Sequence, residues 1–383
     1  MPDLKSYDQI ALVLQGGGAL GSYQGGVFEG LREANIQPDW IAGISIGALN
    51  AAIIAGNDAG QQVSALKGFW KKICKTNGTP IALSFLNEYI KSLSPPLRKW
   101  VGMMEASRSM LEGQSGFFRP RLDYGIHPFQ RKKPDEVSAY ETKFMKDTLL
   151  EFADFEKINK GATRVSVGAV NVRTGNFVYF DNRTIKLKPE HFMASGALPP
   201  GFPAIEIDGE FYWDGGLVSN TPLSEILTAN PPKNSLIFQV DLWSAQGRLP
   251  ENFLEVEERI KDIQYSSRTR MATDHMALRH QNKEMIQALL ELIPKSEANH
   301  PIVQKAKGLA EDVTTNIIQL VYKDKNYEGH YKDYEFSQAT MAEHWSTGLD
   351  DVRNTLKHSA WFEAHSANQS FITYDIHRQE KRG

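Results

Sequence analysis

Three short segments hold residue types suited to acyl-transfer chemistry. In Gly43-Ile44-Ser45-Ile46-Gly47 a serine lies between two glycines in the pattern G-x-S-x-G. At a sharp strand-to-helix turn such a serine projects its hydroxyl into a cleft. Gly43 and Gly47 would let the flanking backbones approach closely, and the helix that follows adds a positive dipole end near the reacting oxygen. A serine that merely caps a helix after a glycine turn would leave the same pattern. The second segment is Gly16-Gly17-Gly18-Ala19-Leu20-Gly21. Successive amides without Cβ atoms cradle an anion. That anion is either the oxyanion of a tetrahedral intermediate or a nucleotide phosphate, because the run also satisfies G-x-G-x-x-G. The third is Asp214-Gly215-Gly216. It reads as an ordinary turn, or as the base that a nucleophilic serine needs. An aspartate normally titrates near 4, so a base at this position requires tuning by its surroundings.

Rival chemistries each lack a part. A dinucleotide fold wants an acid at the end of its second strand; here that strand ends in Gly43-Ile44-Ser45, and Asp39 precedes it. No lysine follows Gly21, so a P-loop is not supported. A histidine base in the α/β-hydrolase order would follow the acid. His275, His280, His300, His330 and His344 do follow Asp214, but none sits in a recognisable loop motif. In that fold the nucleophile also comes after several strands, whereas Ser45 follows only the second. No H-E-x-x-H or C-x-x-C occurs, so no metal site is expected.

The elements that must carry these residues read as α/β. Ile10–Leu14 is a short apolar run suited to a buried parallel strand, and it leads directly into the glycine run. A helix follows with Val27, Phe28 and Leu31 on one face. Trp40–Ile44 is the second strand, and the small residues from Ala48 to Ala55 suit a helix packed tightly on a sheet. Leu66, Phe69, Trp70 and Ile73 have helical spacing. Thr163–Val170 and Asn176–Phe180 read as neighbouring strands across a Thr174-Gly175 turn, and Ser235–Leu242 as another. Beyond Trp243 the pattern is mostly helical, with Phe253, Val256, Ile260 and Ile263 on one face and Ile286, Leu289, Leu290 and Ile293 on another. Asn316–Tyr322 is one late strand. Thr340-Met341-Ala342-Glu343 fits a capping box that opens a final helix.

Composition narrows the class. The 383 residues are 41% hydrophobic and 23% charged, enough for a sizeable core and for two or three domains, or one large domain with an extension. Forty-three basic against 46 acidic residues leave a net charge of -3, which argues against a dedicated nucleic-acid binder. A single cysteine excludes any intrachain disulfide. The polar start MPDLKSYDQ lacks the features of a secretory signal, and no run approaches the ~18 apolar residues that span a bilayer. A soluble, cytoplasmic protein without signal peptide or transmembrane helix is expected.

Taken together and in order, the three segments resemble the patatin-like phospholipase family. A fourth block, Ala194-Ser195-Gly196-Ala197-Leu198-Pro199 continuing to Phe202-Pro203, looks like the A-S-x-A-x-P stretch of that family. The resemblance covers roughly residues 8–243, and residues 244–383 look like the mostly helical C-terminal extension of a bacterial subgroup. It implies a three-layer α/β fold with a mainly parallel sheet. It also implies a Ser-Asp dyad with Ser45 as nucleophile and Asp214 as general base. The oxyanion hole would lie at Gly16, Gly17 and Gly18, with Gly17 and Gly18 donating and Gly16 shaping the loop. No cofactor or metal is implied, and Ser195 belongs to a structural block. The activity implied is hydrolysis of carboxylic esters of phospholipids or lysophospholipids through an acyl-enzyme. Acyl transfer, a thioester or polyester substrate, and a non-catalytic regulatory role are the alternatives. Many relatives carry Lys or Arg where this chain has Leu20, a change that bears on head-group preference. Residues 85–140 read as a lid or insertion. Its Leu97, Trp100, Val101, Met103, Met104, Phe117 and Phe118 are candidates for peripheral membrane contact, with Arg119, Arg121, Arg131, Lys132 and Lys133 facing anionic head groups. The late helices are candidates for homo-oligomer contacts.

Overall fold

The computed structural model describes residues 4–74, 93–122, 131–229, 231–267, 278, 282–310, 313–363 and 371–376. Its strands are β1 (Gln9–Leu14), β2 (Trp40–Gly43), β3 (Arg119–Pro120), β4 (Tyr140–Glu141), β5 (Arg164–Asn171), β6 (Phe177–Asp181), β7 (Ile205–Ile207), β8 (Glu210–Asp214), β9 (Ser235–Asp241), β10 (Thr315–Val321) and β11 (Phe371–Asp375). Nine of them form one sheet in the order β11-β10-β9-β1-β2-β5-β8-β7, with β6 also on β5. From β11 to β5 every pairing is parallel, while β6, β7 and β8 add antiparallel pairs. This is the mainly parallel α/β sheet expected from the sequence. The central strands are apolar nearly throughout because both faces are covered. On one face Leu12, Leu14, Ile41, Leu236, Phe238 and Ile318 join the main core. On the other, Ala11, Val13, Trp40, Ala42, Ile237 and Ile317 meet Leu223 and Ile226 of a short helix. The alternation is the period-2 geometry of strands, and it gives three layers.

The C-terminal region is helical, but it also completes the sheet. β10 pairs with β9 and β11 with β10; only the first of these two strands was legible in the sequence. The last long helix, Gln338–Thr355, lies across the helix Ser22–Glu33. Glycines make the approach possible: a Cβ at Gly26 would stand 1.9 Å from the carbonyl oxygen of Trp345. The capping box is displaced from its expected position. The helix starts at Gln338, and Ser337 caps it by accepting from the amide of Thr340 at 3.2 Å. Serine and threonine are both good caps, so the sequence alone places the start within a turn of the true one.

The segment around residue 100 departs from expectation in one respect. Leu97, Trp100, Met103 and Met104 are exposed on the helix Pro95–Glu112. Phe117 and Phe118, grouped with them in the sequence reading, are buried. Their rings meet each other, Phe202 and Phe336 edge-on or tilted, so their apolar area is already covered by protein. Residues 85–92 and 123–130 of the expected insertion lie outside the described residues.

Candidate active site

Strand β5 acts as the ruler of the site. β2 runs parallel along it and ends with Gly43 opposite Val167. β8 arrives antiparallel and ends with Asp214 opposite Ala169. The other edge of β5 is taken by β6 at both positions, so β2 and β8 share one edge and terminate two positions apart. At about 3.3 Å per residue that is about 7 Å, short enough for the residues that follow β2 to reach the end of β8. Ser45 and Asp214 thus meet at the carboxyl end of the parallel strands, where open α/β sheets place their ligands.

The turn after β2 is sharp. Ser45 has φ 55° and ψ -124°, and the helix Ile46–Ala55 begins immediately after it. The positive φ strains any residue with a Cβ. A Cβ on Gly43 would fall 2.5 Å from the carbonyl oxygen of Gly47, and one on Gly47 would fall 2.3 Å from that of Leu14. Glycine at both positions of the G-x-S-x-G segment is therefore required by space. The Ser45 amide donates to the hydroxyl of Ser195 at 3.0 Å.

Asp214 is buried and its carboxylate accepts the amide of Gly216 at 2.7 Å. Burial pushes its carboxyl up to about 7, against the opposing effect of hydrogen bonds from the Gly216 amide and the Ser45 side chain. Removal from water disfavours the charged form more than these two bonds favour it. The result is a carboxyl poised near neutrality and close enough to the Ser45 side chain to be lowered by it. Tyr265 approaches from the C-terminal region; burial, and then the Asp214 charge, raise its phenol.

The glycine run forms the third wall. The Gly16 carbonyl accepts from Asn220 Nδ2 at 3.0 Å and from Trp243 Nε1 at 2.9 Å, and the Gly16 amide donates to the Asn220 carbonyl at 3.2 Å. A Cβ on Gly16 would fall 3.0 Å from the Cβ of Ser45 and 2.4 Å from Asn220 Oδ1. Gly18 has φ +55°, and a Cβ there would stand 2.1 Å from the Asp333 carbonyl oxygen. Among the described residues, no acceptor takes the amide of Gly17 or of Gly18. Exposure sorts the residues in the same way. From residue 11 to residue 28 only Gly17 and Gly18 are partly open to solvent, and from residue 40 to residue 56 only Ser45 is.

Gln15, Ser195, Asn220 and Trp243 were not singled out as functional from sequence. Gln15 Oε1 accepts the amides of Leu242 and Trp243, at 2.5 Å and 2.9 Å, and its Nε2 reaches Thr221 and the carbonyl of Tyr265. These residues have no motif of their own; only Ser195 carried a signal, through the A-S-x-A-x-P block. The candidate histidines are engaged elsewhere. His344 is buried against Glu328 at 2.8 Å, His300 caps a helix, and the ring of His330 packs on Tyr331. His275 and His280 lie outside the described residues. Among the described residues one group of acids, Glu258, Asp262 and Asp324, is close enough together to hold a cation. The Lys332 ammonium already sits among them, 2.7 Å from Asp262 and 2.6 Å from Asp324.

A buried carboxyl and a serine in a strained elbow thus lie at one end of the sheet, beside a glycine loop with open amides. A family model described as patatin-like phospholipase matches residues 12–227, and the chain belongs to the patatin-like phospholipase family. A second model, DUF3734, described as patatin phospholipase, matches residues 263–368. Membership implies lipid acyl hydrolase activity of the phospholipase or esterase type. Among solved structures, the crystal structure of VipD from Legionella pneumophila is similar at 17% identity, over 91% of this chain and 67% of that one, with a TM-score of 0.39. No curated protein matches the chain. Among the described residues, no helix is long and apolar enough to cross a membrane.

Proposed function

We propose that the protein hydrolyses carboxylic esters of phospholipids or lysophospholipids, with Ser45 as nucleophile and Asp214 as general base. The observation that carries the reading is the convergence of Ser45 in its strained turn, the buried Asp214 carboxyl and the open Gly17 and Gly18 amides at one end of the sheet. A base near neutrality accepts a proton better than an ordinary aspartate. Ser45 Oγ attacks the ester carbonyl and its proton passes to Asp214. The resulting oxyanion takes the amides of Gly17 and Gly18, donors worth about 3–4 kcal/mol each in such sites. Collapse of the intermediate expels the alcohol, which carries away the proton from Asp214. Water then attacks the acyl-enzyme, gives its proton to Asp214, and releases the fatty acid as the proton returns to Ser45.

We further propose that the enzyme works at a lipid surface. Leu97, Trp100, Met104 and Leu111 lie on one face of the helix Pro95–Glu112, with 53%, 57%, 52% and 79% of their surfaces exposed. The opposite face buries Ala106 and Ser109. A helix with its apolar stripe turned outward suits the headgroup region of a bilayer.

The test is fatty-acid release from phosphatidylcholine and phosphatidylglycerol vesicles and from lysophosphatidylcholine micelles. Ser45→Ala and Asp214→Asn are each expected to lose activity by at least about 1000-fold. A rate unchanged in either variant removes that residue from the mechanism. Flotation of Trp100→Glu and Leu111→Glu with the same vesicles tests the surface, and wild-type binding by both would exclude it.

A further inference from the structure

We propose that Lys261 is a positioning residue for the oxyanion loop, holding the Gly17 and Gly18 amides in place through Asp333. The inference rests on the hydrolase reading above. Lys261 belongs to the helix Phe253–Tyr265 and lies in neither segment matched by the family models.

The region after Trp243 reaches the glycine loop at two points. At the first, the Tyr265 carbonyl accepts from Asn220 Nδ2 at 2.8 Å and from Gln15 Nε2 at 3.0 Å. Those two side chains frame Gly16. At the second, the Asp333 carbonyl accepts the Ala19 amide at 2.8 Å and occupies the space that a Gly18 Cβ would need. The Ala19 peptide therefore has a fixed direction, and the preceding amides, Gly17 and Gly18, are the ones left without an acceptor.

Asp333 is itself pinned. The Lys261 ammonium donates to both of its carboxylate oxygens, at 2.9 Å and 3.1 Å, and to the His330 carbonyl at 2.9 Å. It also lies 4.5 Å from the centre of the Tyr334 ring. An ammonium has three donors on one atom, and all three are directed at the turn that presents the Asp333 carbonyl. The Lys261 and Asp333 side chains are 27% and 19% exposed, so the pair is mostly shielded from water. A pair in that setting is screened less than one at an open surface. Removing the ammonium frees the turn, and with it the carbonyl that orients Ala19.

The prediction concerns transition-state stabilisation more than substrate binding. Lys261→Met keeps the length of the stem and removes every donor. Its kcat on lysophosphatidylcholine is expected to fall about 10- to 100-fold, with KM within about threefold of wild type. Acylation of Ser45 by a fluorophosphonate should slow by the same factor. Lys261→Arg should recover part of the loss, because a guanidinium still pairs with the carboxylate. Asp333→Asn should lose about three- to tenfold, and the double variant should be no worse than Lys261→Met alone. Asp333→Asn also serves as the readout if Lys261→Met fails to fold. Wild-type kcat and acylation rate in Lys261→Met, or in Asp333→Asn where that variant stands in, would overturn the positioning role while leaving the hydrolase reading intact. A wild-type enzyme that is never acylated at Ser45 would overturn both.

Discussion

The amide of Ser45 donates to the hydroxyl of Ser195, 150 positions downstream, at 3.0 Å. This amide opens a helix and has no intrahelical partner, while Ser195 closes the helix Pro189–Ser195 and is fully buried. The bond ties the Ser45 turn to a separate element. Ser195→Ala leaves a shielded donor unsatisfied, at a cost of about 1–3 kcal/mol. Thermal unfolding should show that loss, and turnover should fall about tenfold as the elbow relaxes. Wild-type kcat in a destabilised variant would mean that Ser195 supports the fold only.

The strain at Ser45 predicts a contrast between two inactive variants. Positive φ at a residue with a Cβ costs about 1–3 kcal/mol, and glycine escapes it. Ser45→Gly should therefore unfold at a higher temperature than Ser45→Ala. Equal melting temperatures for the two would show that the turn stores no strain.

Asp214 predicts two opposed pH effects. As a base it must be ionised, so kcat/KM should rise with pH through about 7 and level off above it. As a folded-state acid it holds its proton more tightly than the unfolded chain does. Between 3.8 and about 7 the native state therefore binds more protons, and stability falls as pH rises across that window. The full rise is equivalent to about 4 kcal/mol. Asp214→Asn keeps an acceptor for the Gly216 amide and removes the buried charge. It should be inactive, yet more stable than wild type at pH 8, with a flatter dependence of urea midpoint on pH. A variant less stable than wild type at pH 8 would contradict this assignment.

Gly18 predicts the cost of crowding the loop. Its positive φ and its distance of 2.1 Å from Cβ position to the Asp333 oxygen leave no room for a methyl group. Gly18→Ala should lower stability by about 2 kcal/mol or more and lower Ser45 acylation at the same time. Gly175 also has positive φ but faces open space. Gly175→Ala should therefore show only the conformational cost, with acylation unchanged.

The parts of this arrangement legible in the sequence are those with local causes. The strand–glycine–helix order around Gly16 and Gly43 follows from apolar runs interrupted by residues that only tight turns require. Asp214 was legible as a residue but not as the end of a strand. Glu210–Asp214 alternates weakly, and its place beside β5 comes from long-range pairing that no short window contains. Asn220 and Gln15 act through hydrogen bonds to residues more than 200 positions away, so their types carry no signal at their own positions. Phe117 and Phe118 illustrate the converse. Two adjacent aromatics suit an exposed patch and a core equally well, and only the distant Phe202 and Phe336 decide between them.

The pairing of β9 with β10 has a consequence for any shortened form of the chain. β9 is buried along its whole length, with β1 on one side and β10 on the other. A polypeptide ended after Trp243 would retain every motif residue of the site and lose the strand that covers Ser235–Asp241. Its unpaired amides and carbonyls would then form an open, uncharged border through Leu236, Ile237 and Phe238, a template on which the next molecule can add. Such a fragment should accumulate as strand-to-strand aggregates, which the full chain, with β10 paired on β9, should not.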